Sequence, residues 1–177
     1  DGDGCNAFCS PEEGYDCTEN GNGLSSCVKA DVDIAIDEFR FTPTTVRQYI
    51  FSDAHLVISV AGTRTIYNVK VAFTQPTGTS YSSGGTPGCQ TVNDQFVCTI
   101  QQLIPGQPKA LDVKFSGTDM LVGHTATISA TVTWPGIDTA SANNTKTASF
   151  DVTWCGDGII QADAGGSADD VLAEVAV

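Results

Sequence analysis

Seven stretches of this chain alternate apolar and polar residues with a period of two, and no other feature narrows the fold as much. Val32, Ile34 and Ile36 alternate with Asp31, Asp33 and Asp37, and Leu56, Ile58 and Val60 follow. Val69, Val71 and Phe73 share one face, with Lys70 on the other. Phe96, Cys98 and Ile100 repeat the pattern, as do Leu111, Val113 and Phe115 against Asp112 and Lys114. Ile128, Ala130, Val132 and Trp134 come next, and Ala148, Phe150, Val152 and Trp154 close the series. Side chains alternate across a strand, so each stretch offers one face to a core and one to water. Strands of this kind separated by Gly, Pro, Asn and Ser turns predict an all-β, Ig-like antiparallel β-sandwich. Helix is expected only in the tail, where Asp169-Asp170 could cap Val171–Val177. The same tail also alternates as a strand able to add to a sheet edge of a neighbouring subunit, but a frayed terminus is the stronger reading of it.

The sandwich is expected over residues 29–154. Residues 1–28 and 155–177 lack this pattern and are rich in Gly, Asp and, toward the sandwich, Cys, so they read as disulfide-rich, loop-dominated segments. The stretch Thr74 to Gly88 reads as an exposed loop with a short strand around Tyr81 and as a candidate for O-linked sugars.

Cys89 and Cys98 flank an eight-residue stretch with Asn93-Asp94 at its centre. A two-residue hairpin there places the sulfurs opposite one another and predicts a structural disulfide. The remaining cysteines, Cys5, Cys9, Cys17, Cys27 and Cys155, are odd in number. Either one thiol is free or one bridges to another chain, and the bridge is the stronger reading, made by Cys155, Cys5 or Cys9. Cysteine usage on this scale fits an oxidising compartment and an extracellular or cell-surface location. Zinc fits poorly, because the spacings are irregular and the two histidines, His55 and His124, stand far from the cysteine clusters.

The net charge is -13. Such a surface repels phosphates, which argues against nucleic acid and anionic membranes as partners, and it attracts cations. No run of apolar residues approaches the ~20 of a membrane span. No basic, apolar leader precedes Asp1, so the chain is expected to be processed or to be a piece of a longer precursor. Asp1, Asp3 and Asp157 stand in Gly-Asp-Gly contexts that let carboxylates and carbonyls converge, so calcium is the one candidate cofactor. The alternative is ordinary Asp-Gly turn chemistry. Asn143 heads an Asn-x-Thr sequon, compatible with a glycan and with a hairpin turn. No nucleophile, metal-hydrolase or phosphate-loop motif accompanies the histidines, and no enzyme is expected.

Several motifs in order carry a family resemblance. ADVDIAI is followed by IYNVKVAF, then by GCQTVNDQFVCTIQQLIPGQPKALDVKF with its Cys-to-Cys hairpin and Leu-x-Pro-Gly turn, and finally by SANNTKTASFDV. This region resembles the Ig-like surface repeats of large extracellular proteins, which implies a spacer or stackable unit. The ends, DGDGCNAFCSPEEGYDC with Cys27, and CGDGIIQ from Cys155, resemble the second and first halves of a Myxococcus-type cysteine-rich repeat, in swapped order. One family cysteine is missing, Ala168-Asp169-Asp170 standing where the family has Cys-Asp-Asp. The resemblance implies that the tail of one chain and the head of the next complete one module. Other ways to arrive at split halves are closure within one chain and excision of one period from a tandem protein. The expected function is therefore that of an extracellular structural subunit of a filament or appendage, joined head-to-tail to copies of itself. The alternative is a glycan- or protein-binding module of a larger adhesin.

Overall fold

The computed structural model describes residues 14–20, 24–62 and 64–154, which are almost entirely β-structure. The strands, in chain order, are β1 (Tyr15–Asn20), β2 (Leu24–Lys29), β3 (Asp31–Thr42), β4 (Thr45–Arg47), β5 (Ser52–Ala61) and β6 (Ile66–Thr74). They continue as β7 (Thr79–Ser82), β8 (Cys89–Val92), β9 (Gln95–Leu103), β10 (Lys109–Gly117), β11 (His124–Thr133), β12 (Ile137–Asp138) and β13 (Thr145–Thr153). Two short 3-10 turns, Asp119–Leu121 and Ser141–Asn143, interrupt them.

Two sheets face each other. One has the order β12-β3-β5-β10-β7 and the other β4-β13-β11-β6-β9-β8. Most pairings are antiparallel, but the short edge strands β12 and β4 run parallel to β3 and β13. Edge strands of two to four residues offer little template for stray pairing. β1 and β2 form a separate two-stranded ribbon. Residues 15–29 are thus a hairpin, although the sequence there reads as a loop-rich cysteine segment.

The seven alternating segments become the seven long strands, with one shift inside a strand, and Trp134 and Trp154 fall just past the ends of β11 and β13, where Trp154 is exposed instead of facing the core. Val32, Ile34 and Ile36 point inward from β3, but so do Phe39 and Phe41, which have the opposite parity. The pairing with β5 slips between Ile36 and Glu38. A β-bulge at Asp37 absorbs one residue and turns the second half of the strand over. Lys146 Nζ donates to the freed Asp37 carbonyl at 2.6 Å.

The core is aromatic at its centre. Phe115 packs its ring 5.9 Å from Phe41, 5.5 Å from Phe73 and 6.1 Å from Phe96. Phe41 in turn lies 4.9 Å from Phe150, and Tyr81 stacks on Phe96 at 4.5 Å. Buried Val, Ile and Leu from both sheets complete the core.

Both described disulfides staple hairpins. Cys89 faces Cys98 in the β8–β9 register, and Asn93 and Asp94 both adopt positive φ at the tip, as a type I′ turn requires. Thr99 N donates to Gly88 O, so Gly88 and Thr99 are the hydrogen-bonded pair and Cys89 and Cys98 the adjacent non-bonded pair. Side chains approach most closely at such pairs. The same logic places Cys17 opposite Cys27, three residues along from the Ala30 N to Gly14 O bond. Replacing both Cys89 and Cys98 with serine is expected to cost about 2.5–3 kcal/mol, from the loop entropy restored to the unfolded chain. Guanidinium unfolding of the double variant measures it, and a loss under about 1 kcal/mol would contradict this account.

Candidate functional site

The chain enters and leaves the sandwich at opposite ends. β3 starts at Asp31, directly after the hairpin. β13 runs in the same direction across the core, because Asn143 bonds Asp33, Lys146 bonds Asp37, and Thr153 pairs with Arg47, beyond the end of β3. A 12-residue strand spans roughly 36–40 Å. The hairpin end and the Trp154 end are therefore separated by about the length of the sandwich.

At the hairpin end, close backbone approach fixes the ribbon to the sandwich. Gly14 has φ 87°, and a Cβ there would lie 2.8 Å from Gly136 N. A Cβ on Gly136 would fall inside the Trp134 ring. Both positions need glycine. An Arg64–Asp16 ion pair adds a contact from the β5–β6 loop. A concave surface of about 530 Å³ lies beside Trp134, bounded by Asn68, Lys70, Thr99, Thr133 and Pro135.

At the Trp154 end, the β4–β5 and β10–β11 connections meet. Tyr49 N donates to Gly117 O at 2.7 Å, its hydroxyl donates to Asp119 Oδ2 at 2.9 Å, and Gln48 N donates to Thr153 O at 3.2 Å. The Asp119 carboxylate, accepting from that hydroxyl, holds the Tyr49 phenol above its ordinary pKa. Tyr49 also has φ 63°. A bulky side chain seldom adopts the left-handed region, and such strain concentrates where a surface is used.

Exposed apolar side chains gather at these two ends. Among the described residues, nine large hydrophobics are exposed. Tyr49, Ile50, Phe51, Met120 and Trp154 cap one end, Val28, Tyr67 and Ile137 lie at the other, and Val92 stands alone beside the β8–β9 turn. The flanks are polar instead. The outer face of one sheet carries Thr125–Asp151, Thr127–Ser149 and Thr131–Thr145 hydrogen bonds, and that of the other carries His55–Asp112 and Lys114–Asp53 pairs.

Of the residues singled out from sequence, Cys5, Cys9, Cys155, Asp1, Asp3 and Asp157 lie outside the described residues. Among the described residues, no three His, Cys, Asp or Glu side chains gather as a metal site. No described helix is long and apolar enough to cross a membrane. His55 and His124 stand on different sheets, on β5 and β11. Asn143 ends the second 3-10 turn, where its Nδ2 donates to Asp33 Oδ1 at 2.8 Å and its Oδ1 is enclosed. The nitrogen that would carry a glycan is thus engaged in holding this turn to β3. Alternation could not have revealed the Tyr49–Phe51 and Asp119–Met120 cap, because its members come from short connections without periodicity.

No protein-family model matches the chain, and no curated protein matches it. Among solved structures, it is similar to the CARDB domain of a Pyrococcus furiosus protein in solution, at 17% identity and a TM-score of 0.48, over 69% of this chain and 95% of that one. It is similar to the same domain crystallised in complex with di-metal ions, at 17% identity and a TM-score of 0.45, over 82% and 99%. A Salmonella alpha-2-macroglobulin variant shares 15% identity at a TM-score of 0.47, over 75% of this chain and 7% of that one.

Proposed function

We propose that the chain is an extracellular structural subunit, a spacer that joins head-to-tail to further copies in a surface filament or appendage. The observation that carries this reading is the distribution of exposed apolar side chains, which concentrate at the two ends of a sandwich whose flanks are polar and charged. A self-complementary face would give closed dimers, whereas two different end faces give a heterologous contact that propagates. Subunits of net charge -13 repel one another, so a stable joint needs covalent or apolar contributions to offset that repulsion. The cysteine-rich segments lie next to both ends in the chain, and Cys155 directly follows Trp154.

The same geometry favours joining between copies over closure within one. Cys9 is five residues from Gly14, a reach of at most ~17 Å, while Cys155 adjoins the opposite end of the sandwich. Calcium at Asp1, Asp3 and Asp157 would strengthen such a joint. Non-reducing electrophoresis and intact mass of the native protein test the proposal. A ladder of multimers that collapses on reduction, and that Cys155→Ser removes, is the expected result. Monomers at every concentration, with all bridges internal, would end it.

A second reading, a glycan- or protein-binding module of an adhesin, draws on the concave surface beside Trp134. Negative-stain images showing isolated globules, together with a specific hit on a glycan array, would favour it.

A further inference from the structure

The two sheets leave a cleft between β9 and β10. β8 pairs with β9 only from Val92↔Gln95 to Cys89↔Cys98, and β7 pairs with β10 only over Lys114–Gly117. Beyond those pairings no described strand follows along the outer side of either β9 or β10. Thr99 N bonds Gly88 O on the β8 side, so the backbone groups of Gln101, two residues on, point the same way. On β10, the Thr86 hydroxyl reaches the Asp112 carbonyl, so those of Ala110 also point outward. The space between these edges is about 410 Å³. Leu111 is buried and Ile100 half-buried along it, and Gln101, Gln102, Lys109 and Ala110 are exposed. Among the described residues no carboxylate lines it, in a chain with 21 Asp and Glu.

We infer that this cleft receives an extended strand from a second copy of the chain, residues 168–177, which pairs along the free β9 edge at Gln101. The proposal rests on the head-to-tail reading and names the contact that would seat it. Open strand edges with a partly apolar floor are what strand addition uses, with backbone bonds giving affinity and alternate side chains giving specificity. The segment ADDVLAEVAV alternates Val171, Ala173, Val175 and Val177 with Leu172, Glu174 and Ala176, and it carries Asp169, Asp170 and Glu174. Its charge complements Lys109 in a cleft that no described carboxylate lines. The cleft lies toward the hairpin end, since Gln102 pairs with Tyr67 near the start of β6. In a head-to-tail stack that end meets the Trp154 end of the preceding copy, and residues 155–177 reach at most roughly 75 Å from it.

The test uses the full chain with Val171→Asp and Val175→Asp in its own tail, titrated with a labelled synthetic peptide of residues 168–177. Saturable binding is expected, weakened at least tenfold by Gln101→Pro, which removes an N–H that no described strand uses, with the melting temperature unchanged. Should Gln101→Pro lower the melting temperature, Lys109→Glu serves instead, and is expected to weaken binding several-fold and to flatten its salt dependence. Absence of saturable binding, or binding indifferent to both substitutions, overturns the inference. So does a parent chain that stays monomeric at all concentrations yet refuses the peptide, because its own tail then fills the cleft. A parent that is monomeric but accepts the peptide, with the Gln101 dependence intact, removes the head-to-tail reading and leaves the strand-accepting cleft standing.

Discussion

Phe115→Ala is expected to destabilise the protein by about 3–5 kcal/mol, the range for emptying a fully buried aromatic site. Phe115 is fully buried on β10, in one sheet, and its ring touches Phe73 and Phe96 from the facing sheet as well as Phe41 from its own. The loss therefore combines transfer of a large apolar surface with a cavity at the junction of the sheets. Neighbours cannot collapse into that space easily, because Phe41, Phe73 and Phe96 are themselves held by Phe150, Phe39 and Tyr81. For a chain of this size, the thermal midpoint should fall by roughly 6–20 °C. Phe115→Leu, which keeps most of the volume, should cost well under half as much. Calorimetry of both variants, with the disulfides kept oxidised, decides the matter. A cost near 1 kcal/mol for Phe115→Ala would mean that the two sheets do not meet where these rings place them.

This core was readable in the sequence to the extent that it is periodic. The long strands follow from alternation alone, since a strand with one face toward a core has no other pattern open to it. The Cys89–Cys98 staple follows from two residues at the tip that tolerate positive φ. Where side-chain parity changes inside a strand, the reading stops. Phe39 and Phe41 fall out of step with Ile34 and Ile36, and only the bulge at Asp37 brings them into the same core. The β1–β2 hairpin was hidden for a different reason. Its residues carry no apolar alternation, and the Cys17–Cys27 bridge that joins its two strands leaves no periodic signal. The candidate joint was the least legible. Its apolar side chains are contributed by turns brought together by backbone bonds such as Tyr49 N to Gly117 O, a contact between residues far apart in sequence.

Replacing three side chains of the Trp154-end cap, as Tyr49→Asn, Met120→Ser and Trp154→Ser, is expected to weaken self-association by roughly a hundredfold or more while leaving the fold intact. Exposure makes the two effects separable. Tyr49, Met120 and Trp154 are 56%, 67% and 55% exposed, so none supports the core. Surface substitutions of this kind usually change stability by less than about 0.5 kcal/mol each. At position 49 the backbone works in favour of the variant. Tyr49 holds φ 63°, and asparagine tolerates that region far better than an aromatic residue does. The substitution relieves strain as it removes the phenol, its bond to Asp119 and its apolar surface. Aromatic residues at the centre of an interface commonly contribute 2 kcal/mol or more each, so loss of two aromatics and a methionine exceeds what a joint between like-charged subunits can absorb. Sedimentation of the full chain over a concentration series measures association, and thermal unfolding of the same samples measures the fold. A variant that melts at or above the parent temperature yet sediments as a monomer identifies the cap as one half of the joint. A variant that assembles like the parent would show that these side chains face solvent in the assembly and that the ends are not where copies meet.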